Sequence, residues 1–466
     1  MIWNIGLPNN KTRVFLLTVV LLAAMILPAV SLHPSLPSLR LEEGVLFGGL
    51  AYCLLKTALY FMKRASVKPW SQDEDRIFNR RRSMERLINI IFIFLITSYI
   101  ISNIFGVLVK NGSFTMRDVM ELVTYLKYYL VLTLALSVRM GEEEWTFLRR
   151  SALAGVVFLI LFGWLQHLNP LDINHWLTPY FNQNHWEHLI LSRPARILGA
   201  FDNPNVFGML TVLILAALTA RYFWDEQSMS KGRIPWGLLV LLALVIKLEY
   251  LTISRTALLG IALLFSLCCI WAFRRYKRSR AVLIRIAALF LITVILFITA
   301  PADFLNRVGE GLDFTSSTSG IGHLERWEMA SGSIRESPIL GWGTQKTTMT
   351  TLVDNEYMLY TRRYGFVGLA AYLSFFLVPW VLAFKALRRY PGGPFPFTMW
   401  APAAYVAVLP SVFVYNFLAG IFYHLQLMTI LAVLMGLTYN ALALQEGRKG
   451  SLADEKSLRS DLGSSG

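Results

Sequence analysis

The sequence predicts an all-α integral membrane protein of about twelve transmembrane helices, and three observations carry that prediction. Apolar runs of about 17 to 25 residues, each long enough to cross the hydrocarbon of a bilayer as a helix, recur along the whole chain. Hydrophobic residues make up 55% of the 466 positions and charged residues only 16%, a balance foreign to soluble domains. Lysine and arginine crowd into alternate loops, as in a chain threaded back and forth across a membrane.

The apolar runs fall at about 13–32, 45–63, 87–109, 117–138, 151–168, 204–222, 235–253, 256–273, 281–300, 364–387, 397–417 and 420–443. The first follows Lys11 and Arg13, and Ala29-Val30-Ser31 behind it imitates a signal-peptidase site. A retained first span is expected, because it keeps the positive-inside alternation in phase. The basic set of loops comprises the N-terminus, 63–86 with Arg80-Arg81-Arg82, 139–150, 221–233, 274–280, 385–389 and the tail; it holds about 28 of the 44 lysines and arginines. Both termini are therefore expected on the cytoplasmic side. The loops at 33–44, 110–116, 169–203, 254–255, 301–363 and 418–419 are expected to face outward. The expected organisation is a polytopic membrane domain over 1–444, a large extracytoplasmic loop at 301–363, and a polar, disordered cytoplasmic tail over 445–466.

A net charge of +15 would suggest nucleic acid in a soluble chain. Distributed among membrane loops it reads as a topology signal attracted to anionic lipid, so membrane lipids and no nucleic acid are the expected partners. Cys53, Cys268 and Cys269 all lie within apolar runs, which leaves no disulfide framework or zinc site. No loop of clustered carboxylates suits Ca²⁺ or Mg²⁺, and neither metal nor cofactor is expected. Lys127 falls mid-span, and Lys247 and Glu249 near the outer end of another. Such charges read as a structural pair, a substrate-facing group or part of an ion path.

Three outward elements carry the candidate chemistry. The first is Arg196-Ile-Leu-Gly199 followed by Asn203-Pro204-Asn205. Asn203 can cap a helix whose first position is Pro204, and an outward helix N-terminus favours anions. Arg196 could add a bidentate grip on a phosphate or diphosphate. The same residues also fit a plain cap with an interfacial arginine. The second is Ser254-Arg255, in a hairpin too tight to carry Arg255 far from the bundle mouth. The third is the 301–363 loop, where Leu324, Trp327, Ser331 and Ile334 recur at helical spacing and predict a short amphipathic surface helix flanked by Arg326. Pro338, Gly341 and Gly343 then turn the chain, and Asp354-Asn355-Glu356-Tyr357 precedes Gly365 and Gly368.

The order R-x-x-G-x-x-x-x-P-N, S-R, E-R-W, P-x-x-G-x-G, D-N-E-Y and G-x-x-G, all expected on one side, resembles the O-antigen ligase and Wzy polymerase superfamily of bacterial polysaccharide assembly. The motifs cover Arg193 to Gly368. The resemblance implies a GT-C-like, metal-independent glycosyltransferase of the bacterial cytoplasmic (inner) membrane, using sugars carried on undecaprenyl diphosphate. A lipid-linked oligosaccharide donor and acceptor are the implied partners, with a chain-length regulator as a further candidate. By that likeness Arg196, Arg255 and Arg326 contact the lipid-linked diphosphate or the acceptor. Ligases of the superfamily carry H-N-x-Y where this chain has Asp354, Asn355 and Tyr357, a departure that favours a polymerase over a ligase.

Glycosyl transfer from a diphosphate carrier needs charge stabilised on the leaving group and a proton removed from the acceptor hydroxyl. The expected catalytic residues are Asp354, as general base for an inverting reaction, with Arg326 and Arg255; Glu356 and Glu325 are alternative bases. The expected substrate-binding residues are Arg196, Asn203, Asn205, Asn355, Glu356 and Tyr357. A ligase or oligosaccharyltransferase would share the donor chemistry. A flippase or transporter would spread its polar groups along the spans.

Overall fold

The computed structural model describes residues 7, 9–28, 40–62, 72–177, 186–191, 195–201, 203–224, 234–276, 279–312, 318–346, 353–389 and 397–463. Among these the chain is helical throughout its regular structure, and a helix occupies each predicted apolar segment. The helices are α1 (Asn10–Ile26), α2 (Leu41–Met62), α3 (Gln72–Leu108), α4 (Met116–Ser137), α5 (Glu142–Leu168), α6 (Pro204–Trp224) and α7 (Trp236–Thr252). There follow α8 (Arg255–Arg275), α9 (Arg280–Ile298), α10 (Ala302–Leu312), α11 (Thr318–Glu336), α12 (Glu356–Arg388), α13 (Trp400–Leu418) and α14 (Leu425–Gly463). Nine helices among the described residues are long and apolar enough to cross a membrane. The protein is thus a multi-pass membrane protein; α1, α2 and α7 occupy the remaining three predicted segments.

The core is built around α6, which is apolar on every face, as a helix surrounded by other helices must be. It packs against α7, α8 and α13. Small residues permit the close approach: Gly208 faces Ala257, and Ser411 Oγ donates to the Gly260 carbonyl at 2.8 Å. At the other extreme α9 keeps Phe290, Leu291 and Ile298 exposed, the face expected of a helix against lipid.

The C-terminal carbonyls of α4 show why some basic residues sit where they do. Arg13 Nη1 donates to Ser137 O at 2.7 Å, Arg81 Nη2 to Val138 O at 3.0 Å, and Asn440 Nδ2 to the carbonyls of Ala135, Leu136 and Val138. Helix ends leave such carbonyls without intrahelical partners, and cations suit that end of the macrodipole. Arg81, counted from sequence as part of a topology patch, is only 5% exposed and serves as a tie between α3 and α4. Arg81→Ala is expected to lower unfolding stability by about 1.5 to 3 kcal/mol through loss of a buried charge-assisted hydrogen bond between α3 and α4, Val138 O keeping Asn440 as its donor, read as a shift in denaturation midpoint in detergent. Lys127 resolves as a structural pair, its Nζ lying 3.2 Å from Glu42 and 3.0 Å from Glu43.

Four features differ from expectation. The 301–363 stretch is largely helical rather than loop, carrying α10 and α11 and the first turns of α12. Helix α12 starts at Glu356, not 364, because its first turns are polar and only its second part is an apolar run. The two parts meet at Gly365, whose φ of 64° and ψ of −169° interrupt the helix. On α11 the face turned inward carries Gly320, His323, Trp327 and Ala330, while Leu324 and Ile321 remain exposed. Trp327 sets that rotation by packing on Phe417 with ring centroids 5.1 Å apart. Helical backbone also continues through α14 to Gly463, across the segment expected to be a disordered tail.

Candidate functional site

The first group forms where α7 ends and α6 and α8 begin. Residues 195–201 lie across this end of the bundle, held by Gln166: its Oε1 accepts from Leu198 N at 3.2 Å and Gly199 N at 2.9 Å, and its Nε2 donates to Gly199 O at 2.9 Å. Gly199 has φ +58°, and a Cβ there would come within 2.6 Å of the Phe207 ring, so the R-x-x-G spacing is a backbone requirement. Asn203 Oδ1 accepts from Asn205 N at 2.8 Å, the expected cap of α6. Arg196 is anchored by three acceptors: Thr252 O at 2.9 Å, Asn205 Oδ1 at 3.0 Å and Ile253 O at 3.3 Å.

Arg255 is the first residue of α8, whose cap is Ser254 Oγ accepting from Ala257 N at 3.3 Å. The sequence thus brings two arginines to one turn, because the carbonyls that hold Arg196 come immediately before the hairpin that carries Arg255. The N-termini of α6 and α8 lie side by side at this turn, adding partial positive charge to that of the guanidinium groups.

The second group forms at the start of α12. Asp354 Oδ2 pairs with Arg326 Nη1 and lies 3.0 Å from His323 Nδ1. His323 and Arg326 are one helical turn apart on α11, so both reach the same carboxylate. Both contacts fall on Oδ2, and among the described residues no partner meets Oδ1. The Asp354 side chain is 28% exposed and the Arg326 side chain 40%. This small polar cluster is therefore open at the bundle surface.

The residues that follow Asp354 do different work from that assigned by sequence. Asn355 is buried and caps α12, its Oδ1 accepting from Met358 N at 3.1 Å. Glu356 is fully buried with its carboxylate against Gly420, because the helix starts at this residue and turns its first-turn side chain inward. Tyr357 donates its hydroxyl to Phe413 O at 2.8 Å. These side chains fix where Asp354 sits.

Helix α13 links the two groups. Ser411 bonds α8 near Arg255, Phe413 O takes the Tyr357 hydroxyl, and Phe417 packs on Trp327 of α11. Arg196, Asn203, Asn205 and Arg255 thus lie on one flank of the end of α13, and Arg326 and Asp354 on the other. They occupy the same end of the bundle as two groups rather than one contacting cluster.

A third constellation was invisible in the sequence. The buried Glu121 carboxylate accepts the hydroxyls of Tyr364, Tyr423 (2.6 Å) and Tyr125 (3.1 Å), and pairs with Lys346 Nζ at 3.1 Å and Arg363 Nη1 at 3.5 Å. The segment 337–346 is clamped between this cluster and α12: Trp342 N donates to Arg362 O at 3.0 Å, Gly343 N to Arg363 O at 2.8 Å and Phe366 N to Pro338 O at 2.8 Å. The P-x-x-G-x-G motif is thereby explained by docking of backbone on the α12 kink. Glu121→Ala is expected to cost about 3 to 5 kcal/mol, since it strands two partly buried cations. A thermal midpoint unchanged from the parent protein would refute that role.

Among the described residues no three His, Cys, Asp or Glu side chains come together as a metal site requires. Fold and site together define a polytopic helical membrane protein that gathers arginines and a paired aspartate at one end of its bundle. Residues 237–373, less than a third of the chain, match the family model Wzy_C, described as O-antigen ligase. The match supports the superfamily resemblance of the motifs and spans Arg255, Arg326, Asp354 and Gly365, leaving Arg196 and Glu121 outside it. That family implies glycosyltransferase-like enzymes that process lipid-linked oligosaccharides. No curated protein matches the chain.

Proposed function

We propose that this chain is a metal-independent polysaccharide polymerase of the GT-C-like class. It would transfer a growing glycan from undecaprenyl diphosphate to a lipid-linked repeat unit at the outer face of a bacterial cytoplasmic membrane. Twelve spans, cytoplasmic termini and an outward site complete the reading. The observation that carries it is Asp354, with Oδ2 paired to Arg326 and 3.0 Å from His323 Nδ1 and its side chain 28% exposed, on the same end of the bundle as Arg196 and Arg255. In the reaction the acceptor hydroxyl oxygen attacks the anomeric carbon and its proton passes to Asp354. The bond from that carbon to the diphosphate oxygen breaks, and the departing charge is met by Arg196, Arg255 and the N-termini of α6 and α8. Asn203 and Asn205 would bind beside the diphosphate, whereas Asn355, Glu356 and Tyr357 position Asp354.

A ligase is the second reading, favoured by the description of the matching family and by Asn355 and Tyr357 of the H-N-x-Y pattern. The buried charges of the spans speak against a transporter: Lys127 is paired with Glu42 and Glu43, and Glu249 accepts from Thr211 at 2.6 Å and Thr252 at 3.2 Å. Purified protein given only lipid-linked repeat units, in the presence of chelator, is expected to yield a ladder of products. A ladder that appears only when a different acceptor is added would establish the ligase, and loss of transfer in chelator would remove the metal-independent scheme.

A further inference from the structure

An apolar cavity among the described residues lies outside the groups above and has no place in the transfer reaction. It measures about 360 Å³ and runs between α1, α5, α6, α7, α13 and α14. Its depth is apolar, with Leu213, Ala217, Leu241 and Val433 on its walls. Its mouth is marked by Arg149 and Arg221 and by the edge-to-face pair Trp145 and Trp400, whose ring centroids are 5.8 Å apart.

Helix direction places this mouth at the other end of the bundle. Helix α6 runs from Asn205, beside Arg196, to Arg221 at the mouth; α7 runs from Gly237 at the mouth to Thr252, beside Arg196. Helix α13 runs from Trp400 at the mouth to Phe417 beneath Trp327. At about 1.5 Å per residue, the stretch of α6 from Asn205 to Arg221 separates the two ends by about 24 Å, most of the hydrocarbon layer of about 30 Å. Tryptophan pairs and arginines at such a depth mark the boundary with lipid headgroups.

We infer that this cavity is a binding site for one acyl chain of an anionic glycerophospholipid, with Arg149 and Arg221 holding its phosphate. Three observations select that occupant. The lining offers no polar group except at the mouth, so the ligand must be hydrocarbon inside and polar only at one end. Two guanidinium groups at that end suit a phosphate that carries net negative charge. At about 30 Å³ for each water-sized unit, the volume takes on the order of a dozen methylene-sized groups, which suits the greater part of one acyl chain. The site lies in the leaflet of the arginine-rich loops and is independent of the transfer reaction.

The test is native mass spectrometry of the delipidated full-length protein titrated with phosphatidylglycerol or phosphatidylcholine. Phosphatidylglycerol is expected to be retained at least tenfold better. The R149A/R221A protein is expected to lose that preference and the R149K/R221K protein to keep most of it. Ala217→Trp, which fills the depth of the cavity, is expected to weaken retention of both lipids. Should it fold poorly, Gly237→Trp gives the same readout, because a side chain at this lining position meets nothing within 4 Å of its Cβ. Equal retention of the two lipids, indifference to R149A/R221A, or displacement by equimolar undecaprenyl phosphate would each overturn the assignment.

Discussion

Replacement of Asp354 by Asn is expected to reduce glycan transfer by about 10² to 10⁴-fold while leaving the protein folded and able to bind its lipid-linked donor. Asn keeps the shape of the side chain and a carbonyl oxygen for Arg326, so the junction of α11 and α12 should survive. The lost capacity is that of taking a proton from the acceptor hydroxyl. Arg326→Ala is expected to act on the same step, because it frees the carboxylate that the ion pair orients. The two substitutions together should therefore cost little more than Asp354→Asn alone. Independent, multiplying losses would mean that Arg326 contacts the donor instead. An Asp354→Asn protein with undiminished transfer would end the proposal that this carboxylate is the base.

How much of this was legible beforehand follows from the range of the interactions. The helices were, since each apolar run announces its own burial and needs no knowledge of its neighbours. Helix α6 could be read from Asn203-Pro204 at its start and Arg221 at its end. The polar turns of α12 before Gly365 are not legible as helix, because loops and exposed helical turns share the same polarity. Membership of Arg196 and Arg255 in one set came from resemblance; their meeting at a single turn depends on Thr252 and Ile253 offering carbonyls to Arg196, which no spacing reveals.

Long-range partners were the least legible. Glu121 draws on Lys346, Arg363, Tyr364 and Tyr423, residues separated by more than two hundred positions from it and belonging to several elements. His323 has a local signal, its spacing of three from Arg326 on a helix, yet nothing in that spacing turns both toward Asp354. That orientation comes from Trp327 seated on Phe417. The engagement of Asn355, Glu356 and Tyr357 within the bundle is hidden for a related reason: a polar tetrapeptide before a span looks exposed until the helix start is known. Once α12 begins at Glu356, cap and first-turn positions claim those side chains.

The second large effect is expected at a residue that touches neither group. Gly365 holds φ 64° and ψ −169°, a combination almost confined to glycine, and a Cβ there would overlap the Ile339 carbonyl. Gly341, at φ +71°, meets the other side of the same junction, where a Cβ would overlap Arg363. Gly365→Ala must therefore straighten the kink or expel residues 338–343, and backbone strain alone costs about 1 to 3 kcal/mol. Expelling that segment breaks the bonds from Trp342, Gly343 and Phe366 and releases the C-terminal end of α11. Arg326 and His323 then leave Asp354, so transfer should fall as far as in Asp354→Asn, with a lower thermal midpoint that Asp354→Asn does not share. Gly332→Ala, in the middle of α11 with open space around its Cβ, is the matched control and should be neutral or slightly stabilising. If Gly365→Ala retains both its midpoint and its activity, the kink does not position Asp354, and the fold must hold α11 by other means.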